Sequence, residues 1–168
     1  MWGVDIIEDD RDPGRSLTLD ERYFPLLIST WIGEPTLEMV DRYFAWNTVA
    51  LIRARTEGMM AAVVIDALDA GLPDSSVLQV VAARSLDIED DAERYSIGQG
   101  YVALRSKLVR GALTAIRWVN PNVGIHPMKS MEAALAAALR ELRERGHPMP
   151  VRVPEVYERP RAQTVVGA

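Results

Sequence analysis

"VVIDALDAGLPDSSVLQVV", residues 63–81, is the stretch on which the fold turns. Its opening belongs to "MMAAVVIDAL" (59–68), an unbroken apolar run of the kind required by a strand buried on both faces of a sheet. A short turn with Gly71 and Pro73 follows. "SVLQVVAARS" then places Leu78, Val81 and Ala82 on one helical face. A strand covered on both sides needs helices on both sides, and a strand that passes through a turn into a helix is half of a crossover unit. The stretch therefore predicts an α/β layered fold.

Upstream, "SLTL" (16–19) and "YFPLLISTWIG" (23–33) read as two strands around a turn at Asp20 and Glu21. In the second, Leu26, Ile28, Thr30 and Ile32 share one face and Leu27 and Trp31 the other. Pro25, which cannot donate to a ladder, marks its beginning or an edge. Thr36 is placed to cap a helix running to Gly58. Its apolar arc comprises Leu37, Val40, Tyr43, Phe44, Trp46, Ala50, Leu51 and Ala54, while Val49 and Ile52 fall on the polar side as a candidate contact surface.

Downstream, "LDIEDDAERYSIGQG" is an acidic connection and "YVALRS" (101–106) a fourth strand. In "KLVRGALTAIRWVNP", Leu108, Ala112, Ile116 and Val119 recur at helical spacing until "NP" stops the helix. Gly111, with Ala112 and Ala115, reads as a small face for close packing, and Arg110 and Arg117 offer cations on another side. "VGIHPMKS" is a short strand, and Ser130 caps a last helix in "MEAALAAALRELRERG". The expectation is an α/β fold with a mixed sheet of about five strands and about four covering helices. Residues 16–146 form the domain, between an acidic, flexible leader (1–15) and a proline-containing, flexible tail (147–168).

Composition narrows the function classes. The 19 Lys and Arg are dispersed and outnumbered by 24 Asp and Glu, for a net charge of -5, which is the wrong balance for gripping phosphate backbones. The absence of cysteine removes thiol catalysis and thiolate zinc sites, and fits a reducing compartment. No run of about 18 apolar residues is present to span a bilayer, and no charged and apolar leader pattern opens the chain. A soluble, cytoplasmic protein without an integral membrane segment is expected. His126 and His147 are the only imidazoles, and no nucleophile elbow, phosphate loop, dinucleotide fingerprint or calcium loop accompanies them. Neither catalysis nor a metal or other cofactor is expected.

Three stretches in order carry a resemblance. "WIGEPTLEMV" (31–40) comes first, then Asp66 with seven intervening residues before "DSSVL" (74–78), and then "GQGYVALRSKLVRGALTAIRWVNPNVGIHPMKSMEAALAAAL". In this arrangement the chain resembles STAS domains, the bacterial anti-sigma factor antagonists and their relatives, over roughly residues 16–145. Val77 stands where the family has glycine, and Pro73 where an apolar strand residue is usual. The resemblance implies a noncatalytic regulatory protein acting by protein–protein contact in a partner-switching pathway, with a serine kinase or anti-sigma-like regulator as partner. It makes Ser75 and Ser76 the candidate phosphorylation sites. Asp69, Asp74, Ser75, Val77, Arg110 and Arg117 are the candidate partner-binding residues.

The residues themselves admit a plainer account of the serines. Ser76 as an N-cap, with Gln79 three residues on, makes a capping box that needs no kinase. Two other function classes stand beside the regulatory one: a module binding an apolar small molecule or lipid, suggested by methionine and tryptophan near helix and sheet junctions, and a homodimer or other self-association through Val49 and Ile52.

Overall fold

The computed structural model describes residues 3–9, 12–84, 97–107, 110–111, 113–114, 124–150 and 156–160. Six strands make one mixed sheet: β1 (Val4–Asp9), β2 (Asp12–Tyr23), β3 (Leu26–Gly33), β4 (Ala61–Ala70), β5 (Ile97–Ala103) and β6 (Ile125–Met128). They lie in chain order across the sheet. β1, β2 and β3 pair antiparallel, and β3 through β6 pair parallel. The α/β mixed sheet is as the sequence predicts, with one strand more. That strand comes from the presumed leader: Ile6, opposite Thr18, and Ile7, opposite Leu17, place it against β2.

The β2–β3 turn also moves. Asp20 pairs with Ile28 inside the sheet and is fully buried, and the chain reverses at Phe24 and Pro25, with Tyr23 opposite Leu26. A pair of acids read as turn residues therefore divides, Asp20 going into the core and Glu21 staying partly exposed.

Helix α1 (Leu37–Thr56) begins where Thr36 accepts a hydrogen bond from the Met39 N–H, as its position predicts. Gly58, at φ +66°, follows its end. Val40, Phe44, Ala50, Leu51 and Ala54 are buried as expected, but Met39 and Asn47 join them, while Leu37 stays exposed at the first helical position. Helix α2 spans residues 75–84 and α3 is Met131–Glu144, with Ser130 accepting from the Ala133 N–H. Further helical residues occur at 107, 110–111 and 113–114.

Strand alternation sorts these helices onto two faces. Leu17, Leu19 and Trp31 pack with Met39, Val40 and Phe44 of α1 and Val77 of α2. Leu27, Ala61 and Val63 continue that layer under Ala50, Leu51 and Ala54. On the opposite face, Leu26, Ile28, Val64, Tyr101 and Ala103 pack against Met131, Ala134, Leu135, Ala138 and Leu142 of α3. Each fully buried Leu or Val in these layers contributes roughly 1.5–3 kcal/mol relative to exposure. α3 contacts mainly β4 and β5, with Leu26 and Ile28 of β3 at its margin, so no described helix lies over β1 or most of β2 on this face.

Candidate functional site

The uncovered part of the sheet forms a groove of about 1200 Å³. Its floor follows from strand register. Ile6, Thr18, Thr30 and Asp66 stand opposite one another from β1 to β4, and Glu8, Ser16, Ile32 and Asp69 form the next such row. All eight line the groove. Residues three apart on a regular strand point to opposite faces, so Asp66 and Asp69 share one only because β4 bulges. The advance from Thr30 to Ile32 on β3 corresponds to Asp66 to Asp69 on β4. The Leu68 N–H, inside the bulge, donates to Asp66 Oδ1 at 3.2 Å.

Two carboxylates in this region are buried, Asp20 and Asp66. Buried charge is costly unless paired and hydrogen-bonded, and each has a guanidinium in two-pronged geometry. Arg22 donates from Nε to Asp20 Oδ1 at 2.9 Å and from Nη2 to Oδ2 at 2.7 Å. Arg159 donates from Nε to Asp66 Oδ2 at 2.7 Å and from Nη2 to Oδ1 at 3.0 Å, and its Nη1 donates to Asp69 Oδ2. The Arg159 contact holds the Asp69 carboxyl below the usual carboxylate range. The pair of acids, Asp66 first, raises the guanidinium's own pKa.

Arg159 belongs to the stretch 147–168 expected as a flexible tail, yet residues 156–160 lie along the groove. Tyr157 packs edge-on against Tyr23, with ring centroids 6.4 Å apart, and its hydroxyl donates to Asp20 Oδ2 at 3.3 Å. Burial is the main reason its phenol is pushed up, with the Asp20 charge adding to the effect. Asp20, Asp66, Tyr157 and Arg159 are the residues that sequence reasoning missed as a constellation. The acids had a usable signal, because "VVID" continues an apolar strand into a carboxylate that needs a cation somewhere. Nothing local identifies that cation as Arg159.

The serines occupy a different place, at the start of α2. Asp74, not Ser76, is the N-cap: its Oδ1 accepts from the Val77 N–H at 2.9 Å and from the Ser76 hydroxyl at 2.7 Å, and its carbonyl accepts from the Leu78 N–H. This corrects the capping box of Ser76 with Gln79. With α2 beginning at residue 75, Ser76 already stands inside the first turn and its hydroxyl donates to Asp74, so the cap position falls to Asp74. The same two donors, Val77 first, hold the Asp74 carboxyl below its ordinary value. Ser75 and Ser76 are exposed.

Of the other candidate partner-binding residues, Val77 is 2% exposed, packed with Trp31, Met39 and Phe44. It belongs to the core, since its side chain points from the first turn of α2 toward α1, and is withdrawn from the contact surface. Asp69 faces the groove, already engaged by Arg159. The cation from the β5 end that reaches it is Arg105, at 3.9 Å. Arg110 is exposed and Arg117 lies outside the described residues. His126 is exposed on β6 with its ring stacked on Tyr101 at 5.6 Å. Among the described residues, no group of three or more His, Asp or Glu is placed to hold a metal ion, and no helix is long and apolar enough to cross a membrane.

Close approach of two loops shapes the surface beside Ser75. The Gly71 N–H donates to the Gly33 carbonyl at 2.7 Å, and a Cβ on Gly71 would stand 3.0 Å from the backbone of Glu34. The β4–α2 and β3–α1 connections are thereby held together, with Leu72 exposed on the first and Leu37 exposed at the start of α1 just after the second. Compared with known proteins, the chain matches no family model and no curated protein.

Proposed function

We propose that this protein is a noncatalytic regulator that works by protein–protein contact through the surface formed by the β3–α1 and β4–α2 connections, with Ser75 as its modifiable residue. The observation that supports this reading is the exposure of Ser75 at the first position of α2 beside a pair of loops flanked by exposed Leu72 and by exposed Leu37 at the start of α1. Paired loops of fixed geometry present apolar anchors at little ordering cost to a partner. A phosphoryl group on Ser75 adds about -1.5 to -2 charge next to Asp74 while leaving the buried Val77 in place, so it alters binding rather than fold. The resemblance to STAS domains supplies the class of partner, a serine kinase or an anti-sigma-like regulator, and with it a cytoplasmic, partner-switching role.

The test is recovery of partners from the source cells, with phosphosite mapping on the same sample. Ser75→Ala retains the partner and Ser75→Asp loses it. Equal recovery by both variants, with no phosphate at Ser75, overturns the reading.

One observation favours self-association as a second reading. Val49 and Ile52 are 64% and 57% exposed, one turn apart on α1. A homodimer through this face gives a concentration-dependent mass in solution scattering that Ile52→Glu abolishes. A wild-type monomer throughout removes it. The apolar-ligand reading gains nothing from the groove, whose lining includes Glu8, Arg22, Asp66, Asp69, Arg105 and Glu132.

A further inference from the structure

The groove beside α3, on the part of the sheet that no described helix covers, is a separate feature from the Ser75 surface, and its occupant is visible. Residues 156–160 lie in it as an extended strip, held by side chains rather than by strand pairing: Arg159 on Asp66 and Asp69, Tyr157 on Asp20 and Tyr23. Even with the strip in place, about 1200 Å³ of groove remains, lined by Ile6, Glu8, Ser16 and Thr18 beyond the two arginine-binding acids. Thr30 Oγ1 is buried in the same lining and makes no hydrogen bond of good geometry, although the Tyr157 hydroxyl is near enough to feel it. A buried hydroxyl without a full partner is unusual in a structure at rest, and here it faces the channel in which the strip lies.

From these observations we infer that the groove is a recognition site for an extended, arginine-bearing peptide segment, and that the chain's own residues 156–160 are its resident, displaceable ligand. The chemistry is specific. Asp66 presents both oxygens to one edge of a guanidinium while Asp69 takes the third nitrogen, a geometry that a lysine ammonium cannot fill. A hydrophobic and phenolic neighbour two residues before the arginine fills the space at Tyr23 and Asp20. A partner segment with the same tyrosine, spacer and arginine order satisfies every one of these contacts. The tether gives the resident strip an effective concentration near the millimolar range, so an incoming segment must compete with it.

The experiment uses the full chain and a fluorescent peptide of residues 154–161, PEVYERPR. The double variant Tyr157→Ala with Arg159→Ala, whose own strip cannot seat, binds the peptide at least about tenfold more tightly than wild type, because the competent fraction rises by that factor when the strip is lifted. A peptide carrying Arg159→Ala does not bind, and adding Asp66→Asn and Asp69→Asn to the double variant abolishes binding of the parent peptide. A second measurement needs no variant: on isotope-labelled wild-type protein, excess unlabelled peptide shifts the NMR resonance of the Arg159 Nε–H, which is bonded to Asp66, toward that of a solvent-exposed arginine. Equal affinity of wild type and double variant, retained binding by the arginine-free peptide, or an unmoved Arg159 resonance at saturating peptide overturns the inference.

Discussion

Arg159 Nε lies 2.7 Å from Asp66 Oδ2 although 93 residues of chain separate them, and the carboxylate it reaches is buried in the middle of the sheet. Removing the guanidinium leaves that charge without its main counter-ion. Arg159→Ala is expected to lower unfolding free energy by about 1.5–3 kcal/mol, the usual worth of hydrogen bonds to a charged group, with water entering the vacated groove offsetting part of a larger desolvation loss. Arg159→Lys recovers less than half, since an ammonium cannot span both oxygens. Urea denaturation of the three proteins, read by tryptophan fluorescence, checks both statements.

Acid should act on two named carboxylates in a narrow window. Asp69 and Asp74 both have folded pKa values below their ordinary ones, the first through Arg159 and the second through the Val77 N–H. The folded state thus binds their protons less readily than the unfolded chain. Their stabilisation is fully present above about pH 4, the ordinary carboxylate value, and is lost as pH falls from there through the lowered folded values. Melting temperature followed from pH 6 to pH 2 should stay level down to about 4 in this respect, then drop. Asp69→Asn should flatten part of the drop, and a variant as steep as wild type would disprove its share.

Two glycines should respond to alanine in opposite directions. Gly33 has φ +69°, and a Cβ there would sit 2.7 Å from the Gly14 carbonyl oxygen. Gly33→Ala is expected to destabilise by about 1–3 kcal/mol through strain and displacement of β2. Gly111 is helical and exposed, and among the described residues a Cβ there meets nothing within 4 Å. Gly111→Ala is therefore expected to stabilise by about 0.4–1 kcal/mol. Calorimetry on both variants decides, and a stabilised Gly33→Ala would contradict the described β3 end.

Val77→Ala tests the placement of the residue that follows the serines. Its side chain is enclosed by Trp31, Met39 and Phe44, so truncation should cost roughly 1–2 kcal/mol in transfer and cavity terms. Were Val77 part of an open contact surface, the same change would leave stability unmoved and weaken only partner recovery.

The framework was legible because its signals are local. Thr36 and Ser130 cap the helices they were expected to cap, and the division of β3 into Leu26, Ile28 and Thr30 against Leu27 and Trp31 is the observed one. The small face expected of Gly111 with Ala112 and Ala115 falls largely outside the described residues. Asp20 misled because an Asp–Glu pair between apolar runs is a good turn signal, and a guanidinium two residues later, folded back on it, makes a buried strand position tolerable. The groove was invisible for a different cause. Its two acids share a face through a bulge set by pairing with β3, and its cation comes from the far end of the sequence, so neither periodicity nor spacing records it.

β1 and residues 156–160 line the same groove, which has a practical bearing on every capture experiment above. A basic affinity handle fused to this chain carries cations that compete with Arg159 for the groove's acids. The turn at Glu57 and Gly58 lies at the opposite end of β4 from Asp69, and Gly58 has open space around it. A short epitope inserted there leaves both the groove and Ser75 unencumbered, and bait proteins labelled in that turn should recover interactors that terminally tagged ones miss.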